Sequence, residues 1–197
     1  EIKLVGVIGT GTMATGIIEV FAKSGLDVVY VARSDEKVAK VRAALEKSLD
    51  RAVSKGRLSE DDKATILNRV CGTTAHEDLA KVDIVVEAIV EDLETKKELF
   101  RTLDRVCKPG AILATTTSSL SIDVLAAETA RPADVIGMHF FNPAPVMKLV
   151  EVVSGSVTAQ DVTDTTVSLC KAVKKHPVLC SDRAGFIVNF LLFPYLN

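Results

Sequence analysis

A doubly wound α/β fold, with a mostly parallel sheet covered by helices on both faces, is what this 197-residue sequence predicts. Three observations predict it. Short, nearly continuous apolar runs recur along the chain, as strands buried on both faces require. Stretches of helical period separate them, as crossovers between parallel strands require. The first apolar run, residues 3–8, enters the turn Gly9-x-Gly11-x-x-Ala14-x-Gly16 and then an amphipathic helix over residues 17–23. Gly9 turns the chain sharply, Gly11 lets backbone N–H groups come close to phosphate oxygens, and Gly16 lets the helix pack close on the strand. With the positive end of the helix facing the turn, this is a place for a dinucleotide pyrophosphate.

The remaining elements follow in order. Residues 27–32 read as the second strand and residues 35–54 as a long helix. Short strands follow at 70–74 and 83–88. Residues 91–106 form a charged helix whose apolar stripe is Leu93, Leu99, Phe100, Leu103 and Val106. A fifth strand covers 111–115, a short helix 122–128, and strands six and seven 135–139 and 148–153. A helix over 158–173 leads to a last strand at 176–180. Ligands of such folds lie at the carboxyl ends of the strands.

Composition excludes several classes. With 48% hydrophobic residues, 25% charged residues and a formal net charge of −2, the chain holds one sizeable core and offers no electrostatic pull toward nucleic acid or an anionic membrane. No apolar run reaches membrane-spanning length and no charged-then-apolar leader precedes the first strand, so the expectation is a cytoplasmic protein. Cys71, Cys107, Cys170 and Cys180 are scattered without a Cys-x-x-Cys pair or a histidine cluster, which predicts reduced, buried or half-buried thiols and no metal site. Residues 185–196 are almost wholly apolar and must bury themselves against a second domain or a partner chain.

Longer strings resemble one family, the short-chain L-3-hydroxyacyl-CoA dehydrogenases, including bacterial 3-hydroxybutyryl-CoA dehydrogenases. They are Val86-Glu-Ala-Ile-Val-Glu91, Thr117-Ser-Ser-Leu120, His139-Phe-Phe-Asn-Pro143, Pro145-Val-Met-Lys-Leu-Val-Glu-Val152 and Gly185-Phe-Ile-Val-Asn189. The resemblance implies a Rossmann-type dinucleotide-binding and catalytic domain over residues 1–183. Residues 184–197 would be the start of a helical domain that closes the cleft and makes a homodimer.

The chemistry can also be argued from the residues. Oxidising a secondary alcohol with a nicotinamide removes a hydride from carbon and a proton from oxygen, and histidine is the side chain suited to take that proton near neutral pH. His76 lies in a polar loop and His176 precedes Pro177, both ordinary surface or turn positions, whereas His139 ends a buried strand. On the residues alone His139 is equally well a satisfied strand-end histidine; the resemblance makes it the general base. Glu151 lies inside an apolar strand, where it either faces solvent or pairs with a partner, and the resemblance implies a dyad with His139. Ser118 reads on its own as a helix N-cap; Ser118 and Asn142 match residues that bind the substrate oxygen and the nicotinamide side. Asn189 matches a further active-site residue. Gly9, Gly11, Thr12 and Met13 form the cofactor turn, Glu91 and Lys96 match positions near the cofactor's ribose and phosphates, and Ser48 and Lys55 match residues that hold the coenzyme A end of an acyl-CoA substrate.

Three departures from the family pattern stand out. Where an aspartate commonly receives the adenosine ribose, this chain has Ala32, followed by Arg33 and Ser34. An arginine and a serine suit a 2′-phosphate that an acid would repel, so NADP is favoured, with NAD kept open. Thr116 stands where an asparagine is usual and Phe190 where an arginine is usual. Two other functions stay open: a dehydrogenase of free sugar acids from the same superfamily, and a catalytically silent nucleotide-binding or structural relative.

Overall fold

The computed structural model describes residues 1–182 and residue 191. In chain order the strands are β1 (Leu4–Ile8), β2 (Asp27–Val31), β3 (Val70–Thr73), β4 (Ile84–Glu87), β5 (Ile112–Thr115), β6 (Val135–Phe140), β7 (Leu149–Ser154) and β8 (His176–Ser181). The helices are α1 (Thr12–Lys23), α2 (Asp35–Ser54), α3 (Glu60–Asn68), α4 (Leu93–Val106), α5 (Ile122–Ala126) and α6 (Gln160–Ala172). All eight strands join one sheet in the order β3-β2-β1-β4-β5-β6-β7-β8.

From β1 the chain winds outward through β2 and β3, then returns to build β4, β5 and β6 on the other side, all parallel. The order therefore reverses between β1 and β4, the crevice where such sheets bind ligands. Alternate residues of these strands serve two cores. Val5, Val7, Ile84 and Val86 pack with Ile17, Phe21, Leu45 and Leu169 of α1, α2 and α6. Ile8, Val85 and Leu113 pack with Leu99, Phe100, Leu103 and Leu125 of α4 and α5. That two-sided burial is the reason β4 and β5 read as unbroken apolar runs closed by Glu87 and Thr115.

β7 runs antiparallel to β6. Residues 141–148 between them are too few for a crossover helix, so the chain simply turns back. β8 then lies parallel to β7 after α6 and ends the sheet as an exposed strand.

Three details differ from the sequence reading. α1 starts at Thr12, directly out of the turn. α3 is an additional helix, opened by the Ser59 hydroxyl accepting the Asp62 N–H at 3.0 Å, with Glu60, Asp61 and Asp62 in its first turn. Cys71 is exposed rather than half-buried, while burial raises the thiol pKa of Cys107 to about 11 and that of Cys170 to about 12. The helix expected over residues 185–196, including Asn189 and Phe190, falls outside the described residues apart from residue 191.

Candidate active site

The glycine turn fills the crevice between the ends of β1, β2 and β4. Gly9 has φ of +135°, and a Cβ there would stand 2.5 Å from the Ala88 carbonyl oxygen, so no other residue fits. Its N–H donates to the Val31 carbonyl at 3.3 Å, and the Ala88 N–H donates to the Ile8 carbonyl at 2.8 Å. Gly11 caps α1 with no side-chain acceptor and no acid in the first turn, and a Cβ on it would meet nothing within 4 Å. Thr12 and Met13 open the helix, whose first-turn N–H groups have no intrahelical acceptor. These residues fit a pyrophosphate. Gly16 has a different task from the one its spacing suggested. Its bare Cα meets the chain after β6: a Cβ would lie 3.0 Å from Pro145 Cδ and 3.1 Å from Ala144 Cβ.

At the end of β2, Ala32 is buried and donates its N–H to the Thr73 carbonyl at 3.0 Å. Arg33 is exposed beside it. Ser34 is the N-cap of α2, its hydroxyl oxygen accepting the Lys37 N–H at 3.3 Å, which leaves the O–H to donate outward. No carboxylate stands among residues 32–34.

At the ends of β4 and β5 lies a chain of charges. The Lys96 ammonium is 2.8 Å from Glu87 Oε1, with the two side chains 1% and 0% exposed, and 3.5 Å from Glu91 Oε1. The Thr115 hydroxyl and the Ile89 N–H also donate to Glu87. Glu91 accepts the Thr117 hydroxyl at 2.6 Å and both the N–H and hydroxyl of Ser118 at 3.0 Å. Partial burial pushes the Glu91 carboxyl up, but the Ser118 N–H, the Thr117 hydroxyl, Lys96 and the Ser118 hydroxyl together hold its pKa below the ordinary value. Glu91 and Lys96 thus meet each other, with Lys96 buried behind Glu91. Ser118 is not a helix cap, since α5 is capped by Ser121. Glu87 escaped the sequence reading, although a carboxylate closing an apolar strand nine residues before a lysine was its signal.

The antiparallel register sets His139 directly opposite Glu151, so both side chains leave the same face of the sheet. His139 Nδ1 is 3.0 Å from Glu151 Oε1. Glu151 is 0% exposed and His139 7%, which removes the solvent-facing alternative for the glutamate. The Phe141 ring lies against the imidazole with centroids 4.7 Å apart, and the Cys180 thiol is 3.8 Å from Glu151 Oε2. Because β7 begins where β6 ends, the pair sits at the same edge as the glycine turn. His76 falls in a short turn and His176 on exposed β8, away from this pair. Among the described residues no cluster of histidine, cysteine or carboxylate side chains could hold a metal.

Asn142 is exposed on the loop after β6, before the cis peptide to Pro143. Ser48 is half-buried on α2, and Lys55 is its exposed C-cap. A helix of 20 residues spans about 30 Å, so Lys55 stands far along α2 from Ser34. Asn189 lies outside the described residues.

Comparisons with known proteins agree with this geometry. Residues 4–183 match the family described as 3-hydroxyacyl-CoA dehydrogenase, NAD binding domain. A 3-hydroxybutyryl-CoA dehydrogenase of Clostridioides difficile is 49% identical over 97% of this chain and 68% of its own length. The crystal structure of FadB2 of Mycobacterium tuberculosis superposes with a TM-score of 0.97 at 43% identity, over 99% of this chain and 69% of that one. That of the (S)-3-hydroxybutyryl-CoA dehydrogenase PaaH1 of Ralstonia eutropha gives 0.98 at 42% identity, over 100% and 70%. With the reversed sheet order, the glycine turn and the buried histidine–glutamate pair, these matches establish that the chain belongs to the 3-hydroxyacyl-CoA dehydrogenase family.

Proposed function

We propose that this chain carries the dinucleotide-binding and catalytic part of an oxidoreductase that interconverts a short-chain (S)-3-hydroxyacyl-CoA and its 3-ketoacyl-CoA. The observation that carries the reading is the buried His139–Glu151 pair, held at the same sheet edge as a turn built for a pyrophosphate. The nicotinamide, when bound, accepts the hydride released from the substrate carbon. With Nδ1 turned to Glu151, His139 Nε2 takes the hydroxyl proton, and the Glu151 carboxylate fixes the tautomer and stabilises the imidazolium that forms. In the reducing direction the same proton returns to the carbonyl oxygen. Ser118 and Asn142 hydrogen-bond the substrate oxygen and the nicotinamide side, with Asn189 completing the site. Ser48 and Lys55 hold the coenzyme A end.

NADP is the favoured cofactor, supported by exposed Arg33, outward-donating Ser34 and the absence of an acid at residue 32. NAD remains the second cofactor, in keeping with the description of the matched family. A homodimer in the cytoplasm, assembled through a helical domain that opens at residue 184, completes the proposal.

Reduction of acetoacetyl-CoA with NADPH and NADH, set beside oxidation of a free 3-hydroxy acid and a sugar acid with NADP+ and NAD+, tests it. The proposal expects the coenzyme A thioester to be turned over far better than either free acid. A preference for a sugar acid would select the sugar-acid reading, and cofactor binding without turnover of any of these would select the silent one.

A further inference from the structure

Between the strands that carry His139 and Glu151 runs the segment 141–148, which bears Asn142 and is shaped by a residue far from it in sequence. Lys175 is only 6% exposed, yet it forms no ion pair among the described residues. Its ammonium donates instead to two carbonyls of that segment, Ala144 O at 2.5 Å and Met147 O at 2.7 Å. A buried ammonium without a counter-ion is costly, and Lys175 reflects this: burial first, then nearby Lys148, lowers its pKa below the ordinary lysine value. A methionine in that space would avoid the cost, so the charge has a use other than packing. The segment also rests in the Gly16 notch, with Ala144 buried against α1. Internally the Val146 and Met147 N–H groups both donate to Pro143 O, at 3.0 and 2.9 Å. His176, the next residue, ties its own N–H to Lys148 O at 2.8 Å. The segment is thus held both by shape and by a charge bonded to two of its carbonyls.

We propose that Lys175 is a positioning residue: by fixing Ala144, which packs in the Gly16 notch, and Met147 further along the segment, it sets the place of Asn142 at the nicotinamide side of the site. This rests on the dehydrogenase reading, because it takes Asn142 as a contact of the nicotinamide half of the cofactor. The adenosine and pyrophosphate half is held by Gly9, Gly11 and Arg33 in the turns after β1 and β2, so the two halves respond differently to a loosened loop.

The test uses the complete protein and compares affinity for NADPH with affinity for 2′-phospho-ADP-ribose, which lacks the nicotinamide, together with kcat and KM for acetoacetyl-CoA. In Lys175→Met, NADPH affinity and kcat should fall about tenfold or more, while phospho-ADP-ribose affinity and the KM for acetoacetyl-CoA stay within about twofold. Lys175→Arg, which can still donate to both carbonyls, should restore most of the loss. Lys175→Gln, which keeps a shorter donor, should fall between the two and reads the same ratios if the methionine variant does not fold. Equal loss of both ligands would make Lys175 a general structural residue, and an unchanged NADPH affinity and kcat would show that the clamp does not reach Asn142. Either result overturns the inference. Failure of the wild-type protein to turn over acetoacetyl-CoA would instead count against the dehydrogenase reading, and the ratio of the two nucleotide affinities would still decide the role of Lys175.

Discussion

The His139 imidazole and the Glu151 carboxylate form a directly opposed cross-strand pair with a 3.0 Å hydrogen bond, the carboxylate fully buried and the imidazole nearly so. Loss of a general base typically costs about 100- to 10,000-fold in rate, so His139→Ala should lower kcat in that range with NADPH affinity little changed. Glu151→Gln retains the shape but loses the charge that steadies the imidazolium, and should lower kcat by a smaller factor. Near-normal steady-state turnover in His139→Ala would remove the assignment. At Arg33 the expected outcome concerns choice rather than rate. A hydrogen bond to a charged group contributes about 1.5–3 kcal/mol, which is roughly ten- to a hundredfold in affinity. Ala32→Asp combined with Arg33→Gln should therefore reverse the preference from NADPH to NADH, as measured by kcat/KM for each. A wild-type protein already better with NADH by tenfold would leave Arg33 only an adenine-stacking role.

Elements explain why the reading of residues succeeded in some places and not in others. The strands were legible because burial on both faces forces an unbroken apolar run, and Val5, Val7, Val85 and Val86 are all 0% exposed. α3 was missed because its one buried residue is Ile66, so no apolar stripe marks it; the Ser59 cap and the acids behind it were its signature. Gly16 was read from its spacing, yet spacing cannot show that the contacting chain is residues 144–145, which are remote in sequence. His139 and Glu151 were read as a pair only through the family resemblance; the residues alone left each with an ordinary alternative, and it is the antiparallel register of β6 and β7 that sets them opposite each other. Glu87 and Lys175 were not legible, since their partners are set by tertiary packing. The Glu87–Lys96 pair at the end of β4 gives a prediction at this scale. Removing one partner of a buried pair commonly costs about 3–5 kcal/mol, so Lys96→Met should destabilise the fold by that order in urea unfolding. Glu87→Gln should cost less, because its one amide oxygen still accepts the Thr115 hydroxyl and Glu91 still faces Lys96, although the amide NH2 cannot take the Ile89 N–H. Equal costs for the two variants would show that Lys96 is left uncompensated without Glu87 and that Glu91 does not take over as its counter-ion.

Across the whole molecule, the site exists because β1 and β4 stay side by side, since the crevice at their carboxyl ends receives the glycine turn. Their amino ends are stitched by one side chain. Asp83 accepts the Lys3 and Leu4 N–H groups at 2.8 and 2.9 Å and the Lys108 ammonium at 2.7 Å, while its own N–H donates to the Leu4 carbonyl at 2.9 Å. Partial burial raises the Asp83 pKa, but Lys108 and the two backbone donors outweigh it and lower the value from 3.8 to about 2. A carboxyl whose folded pKa lies below its unfolded value stabilises the fold above the unfolded pKa, and that contribution is lost as pH falls toward the folded value. The window is therefore roughly pH 4 down to 2. Asp83 is 23% exposed, so solvent screening reduces the full linkage value, and the stitch contributes about 1–2 kcal/mol at neutral pH. Asp83→Asn should accordingly lower the unfolding free energy by about that amount at pH 7, and the wild-type and variant curves should draw together as the pH is taken from 4 to 2. Thermal melts of both proteins across that range measure it. A gap that persists unchanged at the acid end would mean that Asp83 acts through its backbone geometry and not through its charge.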